Sequence, residues 1–328
     1  MQSPIRKKIV EAFAEAQGAF LSGQDLANET GCSRTAVWKH IEELRKEGYE
    51  LEAVRKKGYR ILQAPDKVSE DELLMGLATE KLGRVIHYND SVESTQKLAH
   101  ILVHDHVPEG TIVIAEEQTA GRGRLMRKWD SPKYTGIWMS VILRPNLPPQ
   151  KAPQFTLISA VAVVQAIREL TDVEAEIKWP NDLLINGKKI TGILTELVAE
   201  SDKINAVIIG IGINVNQQVE SFSEEIKDVA TSIRLEGGKP VSRAALVQQI
   251  LLKLEKYYSL YMREGFYPIK LLWESYAISI GKDIMARTMN ETIYGKAMGI
   301  TDEGVLLVRE ESGEIREIYS ADIQIQSD

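Results

Sequence analysis

The first sixty residues alternate between apolar helical stripes and polar or glycine stops. Ile5, Ile9 and Phe13 share one helical face between residues 3 and 16, with Ser3 placed as an N-cap and Gly18 just past the end. Ser22 precedes the short segment GQDLANET and Gly31 breaks it. Ser33 then precedes RTAVWKHIEELRKEG, in which Val37, Ile41 and Leu44 repeat at helical spacing. The pattern predicts helix, tight glycine turn, helix, with Trp38 as a core or helix-packing residue. From Tyr49 to Leu62 the period changes to that of two short strands around Lys56-Lys57-Gly58, with Arg55 and Arg60 flanking the turn. Ala64-Pro65-Asp66 marks a linker.

Beyond the linker, strands are predicted at Thr111 to Ala115, Ile137 to Leu143, Ile177 to Trp179, Leu183 to Asn186, Lys189 to Val198 and Ile204 to Val215. Phe155 to Leu170 and Arg243 to Met262 carry long helical stripes. Strands interrupted by so few helices point to α+β packing rather than a doubly wound parallel sheet. After Trp273 and Tyr276 come four or five short strands punctuated by Asn290, Gly304 and Gly313, read as a small β-barrel. The expected architecture is α+β multidomain, with domains at 1–64, 65–275 and 276–328.

The N-terminal pattern, a helix-turn-helix followed by a basic hairpin, resembles the winged helix-turn-helix family of DNA-binding domains, whose second helix enters the major groove. That resemblance places Ser33, Arg34, Thr35 and Lys39 against phosphates or base edges and makes Arg55, Lys56 and Lys57 the wing. A three-helix protein-interaction domain with a solvated basic hairpin is the competing reading.

Charge supports a local nucleic-acid contact rather than a coat. The net charge is -7, but residues 1 to 62 hold 11 Lys and Arg against 9 Asp and Glu, leaving 29 against 38 for the remainder. Hydrophobic residues at 44% and charged residues at 27% are those of a globular protein. No apolar run of spanning length or secretory core is present, and a single cysteine, Cys32, excludes an intramolecular disulfide. Both features place the chain in the cytoplasm, away from membranes. Cys32 beside Gly31 is a small packing residue, and His87, His100, His104 and His106 are read as surface residues without metal-ligand spacing.

Two segments carry chemistry. Gln118-Thr-Ala-Gly-Arg-Gly-Arg-Leu-Met-Arg-Lys-Trp129 has four cations in the seven residues from Arg122 to Lys128, with glycines at 121 and 123. Such a loop can wrap an anion, since glycine lets the backbone approach and arginine offers forked donors to carboxylate or phosphate. It can also lie solvated or touch nucleic acid. Lys178-Trp-Pro-Asn-Asp182 is followed by a glycine hairpin that delivers Lys188 and Lys189 to the next strand. Alternation puts those two lysines on opposite faces, and whichever is buried needs an anionic partner.

GRGR followed by KWPND, a lysine before an xxGI strand, and GIGINVN together resemble the bacterial biotin-protein ligases, and with the winged helix in front, their bifunctional repressor/ligase class. The similarity runs essentially end to end. It implies a central mixed α/β ligase domain like class II aminoacyl-tRNA synthetases and an SH3-like C-terminal β-barrel. It further implies that ATP, accompanied by Mg²⁺, and biotin form biotinyl-5'-adenylate. The biotinyl group then passes to a lysine of the biotin carboxyl carrier protein of acetyl-CoA carboxylase. By this resemblance Ser94, Thr95 and Gln118 bind biotin's ureido end. Arg122, Gly123 and Arg124 lie in the loop over biotin and the phosphates, and Gly192, Gly210 and Gly212 allow close approach of ligand. Lys189, with Arg122 and Arg124, is catalytic, stabilising charge in both half-reactions. Trp129 stacks on adenine with Asn181 and Asp182 nearby, and the loop from Asn214 to Ala230 folds over the adenylate. No resident metal site is implied.

The resemblance also implies a ligand-bound homodimer that presents two recognition helices to a palindromic operator of the biotin genes. One departure is visible: many relatives carry a further glycine in GRGRxGR where this chain has Met126, which predicts a stiffer loop. Two alternatives stay open, a repressor that senses biotin without catalysis and a lipoate ligase on the related fold.

Overall fold

The computed structural model describes residues 4–46, 49–64, 66–200 and 203–326. Ser3 and Pro65, read above as a cap and as part of the linker, lie outside them. The chain divides into two compact units, one formed by 1–78 and 242–248, the other by 79–241 and 249–328.

In the first unit, helices α1 (Pro4–Glu15), α2 (Gly23–Thr30) and α3 (Arg34–Lys46) precede strands β1 (Glu50–Val54) and β2 (Gly58–Gln63) and the short helix α4 (Glu70–Leu74). Ser22 Oγ accepts from Asp25 N at 3.0 Å and Ser33 Oγ from Ala36 N at 3.2 Å, so each serine satisfies a free amide at the start of its helix. Gly31 ends α2 in the left-handed conformation at φ 67°. Ile9, Phe13, Leu26, Val37 and Ile41 form the core, with Leu51, Tyr59 and Ile61 of the hairpin packed against it. Gly58 is required: at φ 107° a Cβ there would stand 1.9 Å from Leu21 O, because Leu21 and Tyr59 exchange backbone bonds of 2.9 and 2.8 Å. α4 is fastened to α1 by a buried Arg6–Asp71 ion pair at 2.6 Å.

The second unit opens with β3 (Ile86–Asn89), α5 (Thr95–His104), β4 (Ile112–Ala115), β5 (Gly136–Leu143), α6 (Ala152–Leu170), β6 (Glu176–Lys178), β7 (Asp182–Ile185), β8 (Lys188–Glu200) and β9 (Lys203–Asn214). These strands form one mixed seven-stranded sheet in the order β3-β4-β5-β9-β8-β7-β6, with only β3 and β4 parallel. Helices α7 (Ile233–Gly237), α8 (Arg243–Glu264), which begins in the first unit, and α9 (Tyr267–Tyr276) follow. Strands β10 (Asp283–Arg287), β11 (Thr292–Ile300), β12 (Leu306–Arg309), β13 (Ile315–Ile318) and β14 (Asp322–Ile325) complete the chain. They form a sheet in the order β13-β12-β11-β10-β14. This sheet is open where the sequence pattern suggested a barrel: alternation specifies strands and their faces, but not whether the two edges meet.

Period-two alternation divides the chemistry of the large sheet. Gly192, Leu194 and Glu196 of β8 stand opposite Gly212, Gly210 and Ile208 of β9, and Gly210 is opposite Ser140 of β5. α5 covers part of this face through Ala99, Leu102 and Val103 against Ile142, Ala206 and Ile208. The intervening residues face α6, as the 2.7 Å bond between Thr156 and Thr195 records. The row without side chains, Gly192, Gly210 and Gly212, therefore lies on the open part of the face that α5 only partly covers.

Candidate active site and DNA-binding surface

A cavity of about 800 Å³ opens over that glycine row, within the range of small-ligand sites. Its floor is a chain of hydrogen bonds. Thr95 donates from its backbone N and Oγ1 to Gln118 Oε1 at 2.8 and 3.1 Å, and Gln118 Nε2 donates to Ser131 Oγ at 2.9 Å. Thr95 Oγ1 also pairs with Ser140 Oγ at 2.9 Å, and Ser140 in turn donates to Gln96 Oε1 at 2.9 Å. Ser94 is the N-cap of α5, its Oγ accepting from Lys97 N at 3.5 Å. Gln96, Ser131 and Ser140 were not foreseen from the sequence. They come from three separate elements, and nothing local marks a buried serine or glutamine.

The basic segment 121–129 folds back on itself: Gly123 N bonds Arg127 O at 2.8 Å and Trp129 N bonds Gly121 O at 2.9 Å. At its tip Leu125 and Met126 sit in the left-handed region at φ 53° and 59°, and both are exposed. Arg122 reaches across to Glu196 Oε1 at 3.2 Å, and the same carboxylate holds His100 Nε2 at 3.0 Å. His100 is thus half-buried and paired, in contrast to the surface residue expected. Arg124 donates to Asn181 Oδ1 at 3.0 Å and to Ser320 Oγ at 2.7 Å, and burial pulls its guanidinium below the usual arginine range. Arg127 holds Asp322 at 2.5 Å, and that hydrogen bond keeps the Asp322 carboxyl below its usual range. Ser320 and Asp322 thereby bring the C-terminal sheet to the rim of the cavity.

Lys189 stands 2.6 Å from Asp182 Oδ1, whereas Lys188 is exposed. Residues 189 and 192, three apart, would face opposite ways in a regular strand. A register shift between Leu183 and Leu184 of the partner strand bulges β8, and both line the cavity. The backbone of Lys189 also pins the loop after β9, accepting from Thr231 N at 3.0 Å and donating to Val229 O at 2.8 Å. At the end of β9, Asn214 Oδ1 accepts from Gln217 Nε2 at 3.0 Å, and Asn214 Nδ2 donates to Thr231 O at 3.1 Å, tying the strand to both ends of that loop.

Trp129 fills the space over Gly192 and Gly212, where a Cβ would come within 3.0 and 2.6 Å of its indole, and Lys189 Nζ lies 5.4 Å from the ring. A Cβ on Gly210 would instead meet Gln96 Oε1 at 2.7 Å. Apart from Asp182 Oδ1, which the Lys189 ammonium ion-pairs, three residues lining the cavity each keep a buried polar atom without a hydrogen-bond partner: Arg122 Nε, Trp129 Nε1 and Gln217 Oε1. Unpartnered buried donors and acceptors are costly unless a ligand completes them. Cations, unpartnered polar atoms and a floor of backbone fit a ligand that is anionic at one end and planar at another.

On the first unit, Ser33, Arg34, Thr35 and Lys39 are exposed along the start of α3, and Arg55, Lys56 and Lys57 are exposed at the hairpin turn. Trp38 is 51% exposed, correcting its expected place in the core. The core face is already filled by Val37, Ile41 and Leu44, each 0% exposed.

Residues 5–60 match an HTH domain family, residues 88–214 the Biotin/lipoate A/B protein ligase family, and residues 279–325 the Biotin protein ligase C terminal domain. Over 325 residues the chain is 58% identical to the bifunctional ligase/repressor BirA of Bacillus subtilis (strain 168), covering 99% of this chain and 100% of the relative. The chain belongs to the biotin protein ligase family, in its bifunctional ligase/repressor form. A more distant ligase/repressor, from Escherichia coli (strain K12), is 28% identical over 95% of each chain. The biotin protein ligase of Aquifex aeolicus in complex with biotin and ATP superposes with a TM-score of 0.65 at 31% identity, covering 75% of this chain and all of that one. The family assignment accounts for the two kinds of surface on one polypeptide, a cation-lined cavity in the second unit and an exposed cationic helix in the first. Among the described residues of this ligase/repressor, no helix is long and apolar enough to cross a membrane. Nor are three or more His, Cys, Asp and Glu side chains grouped to hold a metal ion.

Proposed function

We propose that the chain joins biotin to ATP as biotinyl-5'-adenylate, transfers the biotinyl group to a lysine of the biotin carboxyl carrier protein, and uses the adenylate as co-repressor. The observation that carries this is the convergence of Arg122, Arg124 and Lys189 on a cavity floored by Gly192, Gly210 and Gly212. In the first half-reaction a carboxylate oxygen of biotin attacks the α-phosphorus of ATP and pyrophosphate leaves. In the second, the carrier lysine attacks the acyl carbon and AMP leaves. Negative charge develops beside the same three cations in both steps, where fixed donors stabilise it most. Thr95 and Gln118, joined to Ser140 and Ser131, would replace water around biotin's ureido group, with Ser94 at the head of the same helix.

Trp129 would stack on adenine after leaving its seat on the glycine pair, with Asn181, Asp182 and Asn214 around the nucleotide. Gly123 gives the Arg122–Arg124 loop the freedom to follow. Mg²⁺ would arrive as the counter-ion of the ATP phosphates. The same reading assigns domains at 1–64, 65–275 and 276–328, a class II aminoacyl-tRNA synthetase-like ligase core, an SH3-like C-terminal module and a cytoplasmic location. A homodimer of the adenylate-bound form would set two α3 helices against the operator of biotin-synthesis genes.

The test is ATP-dependent transfer of labelled biotin to a purified carrier domain, run beside a DNA shift with and without biotin and ATP. Transfer of biotin but not lipoate is expected. Biotin binding without transfer would leave a non-catalytic sensor and overturn the enzyme reading. Unchanged DNA affinity with adenylate would remove the co-repressor.

A further inference from the structure

Charge divides α3 along its length. From Arg34 to His40 the helix carries no carboxylate, and Arg34 and Lys39 enter no ion pair among the described residues. The acids lie further on and are matched, Glu42 by Arg45 at 2.6 Å and Glu43 by His40 at 2.9 Å. The half of the helix that starts at the Ser33 cap therefore carries cations without any acid, whereas the second half holds both matched acids along with the exposed Lys46. In the first half sits Trp38, four residues after Arg34 and three after Thr35, spacings that put all three on one side of a helix. A half-exposed indole leaves the largest apolar side chain of the unit in water, beside a core face that has no room for it.

We propose that Trp38 is a base-reading residue whose indole packs on the C5-methyl group of a thymine in the major groove, between the polar contacts of Arg34 and Lys39. The proposal rests on the reading of the first unit as DNA-binding. An indole face has no charge for a phosphate, and the thymine methyl is the one apolar group on the major-groove edge. Residues in the N-terminal half of a recognition helix are those that reach base edges. The exposed wing cations Arg55, Lys56 and Lys57 supply the phosphate contacts, which carry no sequence information.

The full-length protein with biotin and ATP is used to select duplexes from a random-sequence pool, alongside Trp38→Ala and Trp38→Phe. Each thymine of the duplex chosen by the unsubstituted chain is then replaced singly by deoxyuridine, which removes the methyl alone. One such replacement is expected to weaken binding about fourfold, the worth of one buried methyl. Trp38→Ala should weaken binding about tenfold, become insensitive to that replacement, and select a pool without preference for thymine at that position. Phe should retain part of the preference. Biotin transfer to the carrier should be unchanged in both variants, which verifies the second unit, and a melting profile and circular dichroism spectrum matching the parent verify that the first unit is folded. If Trp38→Ala selects the same sequences, weakens binding equally for every sequence, or keeps the deoxyuridine effect, the base-reading role is overturned while DNA binding stands. If the unsubstituted chain enriches no duplex, both fall.

Discussion

Replacing Lys189 with alanine should separate chemistry from stability. Its ammonium lies 2.6 Å from Asp182, with the two side chains 34% and 23% exposed. An ion pair so open to water contributes about 0–1 kcal/mol to folding, and Asp182 left alone keeps access to solvent. The melting temperature should therefore fall by no more than about 2–4 °C. Inside the cavity the balance differs. A unit charge about 4 Å from developing negative charge interacts by roughly 4 kcal/mol at an effective dielectric of about 20. Partial exposure of Lys189 lowers that to roughly 2–3 kcal/mol, or about 30- to 150-fold in rate. Single-turnover pyrophosphate release at saturating biotin reads the first half-reaction, and transfer from preformed adenylate to the carrier domain reads the second. Both should slow, and Lys189→Arg should recover part of the loss because it restores charge but not position. If Lys189→Ala keeps both rates within about threefold of the parent, the electrostatic role assigned to the ammonium is refuted.

Three further outcomes are expected. Met126→Gly removes a Cβ from a residue at φ 59°, relieving about 1 kcal/mol of left-handed strain and loosening the loop tip. Dissociation of the adenylate, followed by filter binding, should speed up several-fold, and an unchanged rate would show that Met126 does not govern retention. Gly212→Ala puts a Cβ 2.6 Å from Trp129 Nε1 and must unseat the indole. The KM for ATP should move with little change in melting temperature, and an unaltered KM would disconnect that seat from nucleotide binding. In the first unit, burial raises the Glu72 carboxyl above its ordinary range. A raised carboxyl makes the folded state less stable as pH climbs past the unfolded value of about 4.3. Glu72→Gln should accordingly raise the melting temperature at neutral pH, with the gain vanishing in acid, and a gain that persists below that range would contradict the assigned cause.

Local features of this fold were readable where one short stretch of chain decides them. The caps Ser22 and Ser33, the long helix stripes, the alternation of β5, β8 and β9, and the cation-rich loop all follow from neighbouring residues. What depends on distant partners was not readable. The Ser140–Gln96 link joins residues 44 apart and the Arg122–Glu196 pair residues 74 apart. The bulge that lets Lys189 and Gly192 share a face is set by the register of β7, which alternation within β8 does not encode. Trp38 was misplaced because apolar character alone suggested burial, although Val37, Ile41 and Leu44 had already claimed the inner face. The resemblance marked Gly192, Gly210 and Gly212 as positions for close approach of ligand, but the contact of Gly192 and Gly212 with Trp129 depends on the fold of the intervening loop.

The five tryptophans of the chain are Trp38, Trp129, Trp138, Trp179 and Trp273, and the last three are 0%, 3% and 0% exposed. Collisional quenchers in solution can reach only Trp38, on the helix of the first unit, and Trp129, on the glycine seat of the second. The protein thus carries two separable optical probes of its own. With Trp38 changed to phenylalanine, quenchable emission reports the nucleotide cavity alone, and with Trp129 changed it reports the DNA face alone. Occupancy at the two ends of one chain can then be followed in the same cuvette without attaching a dye.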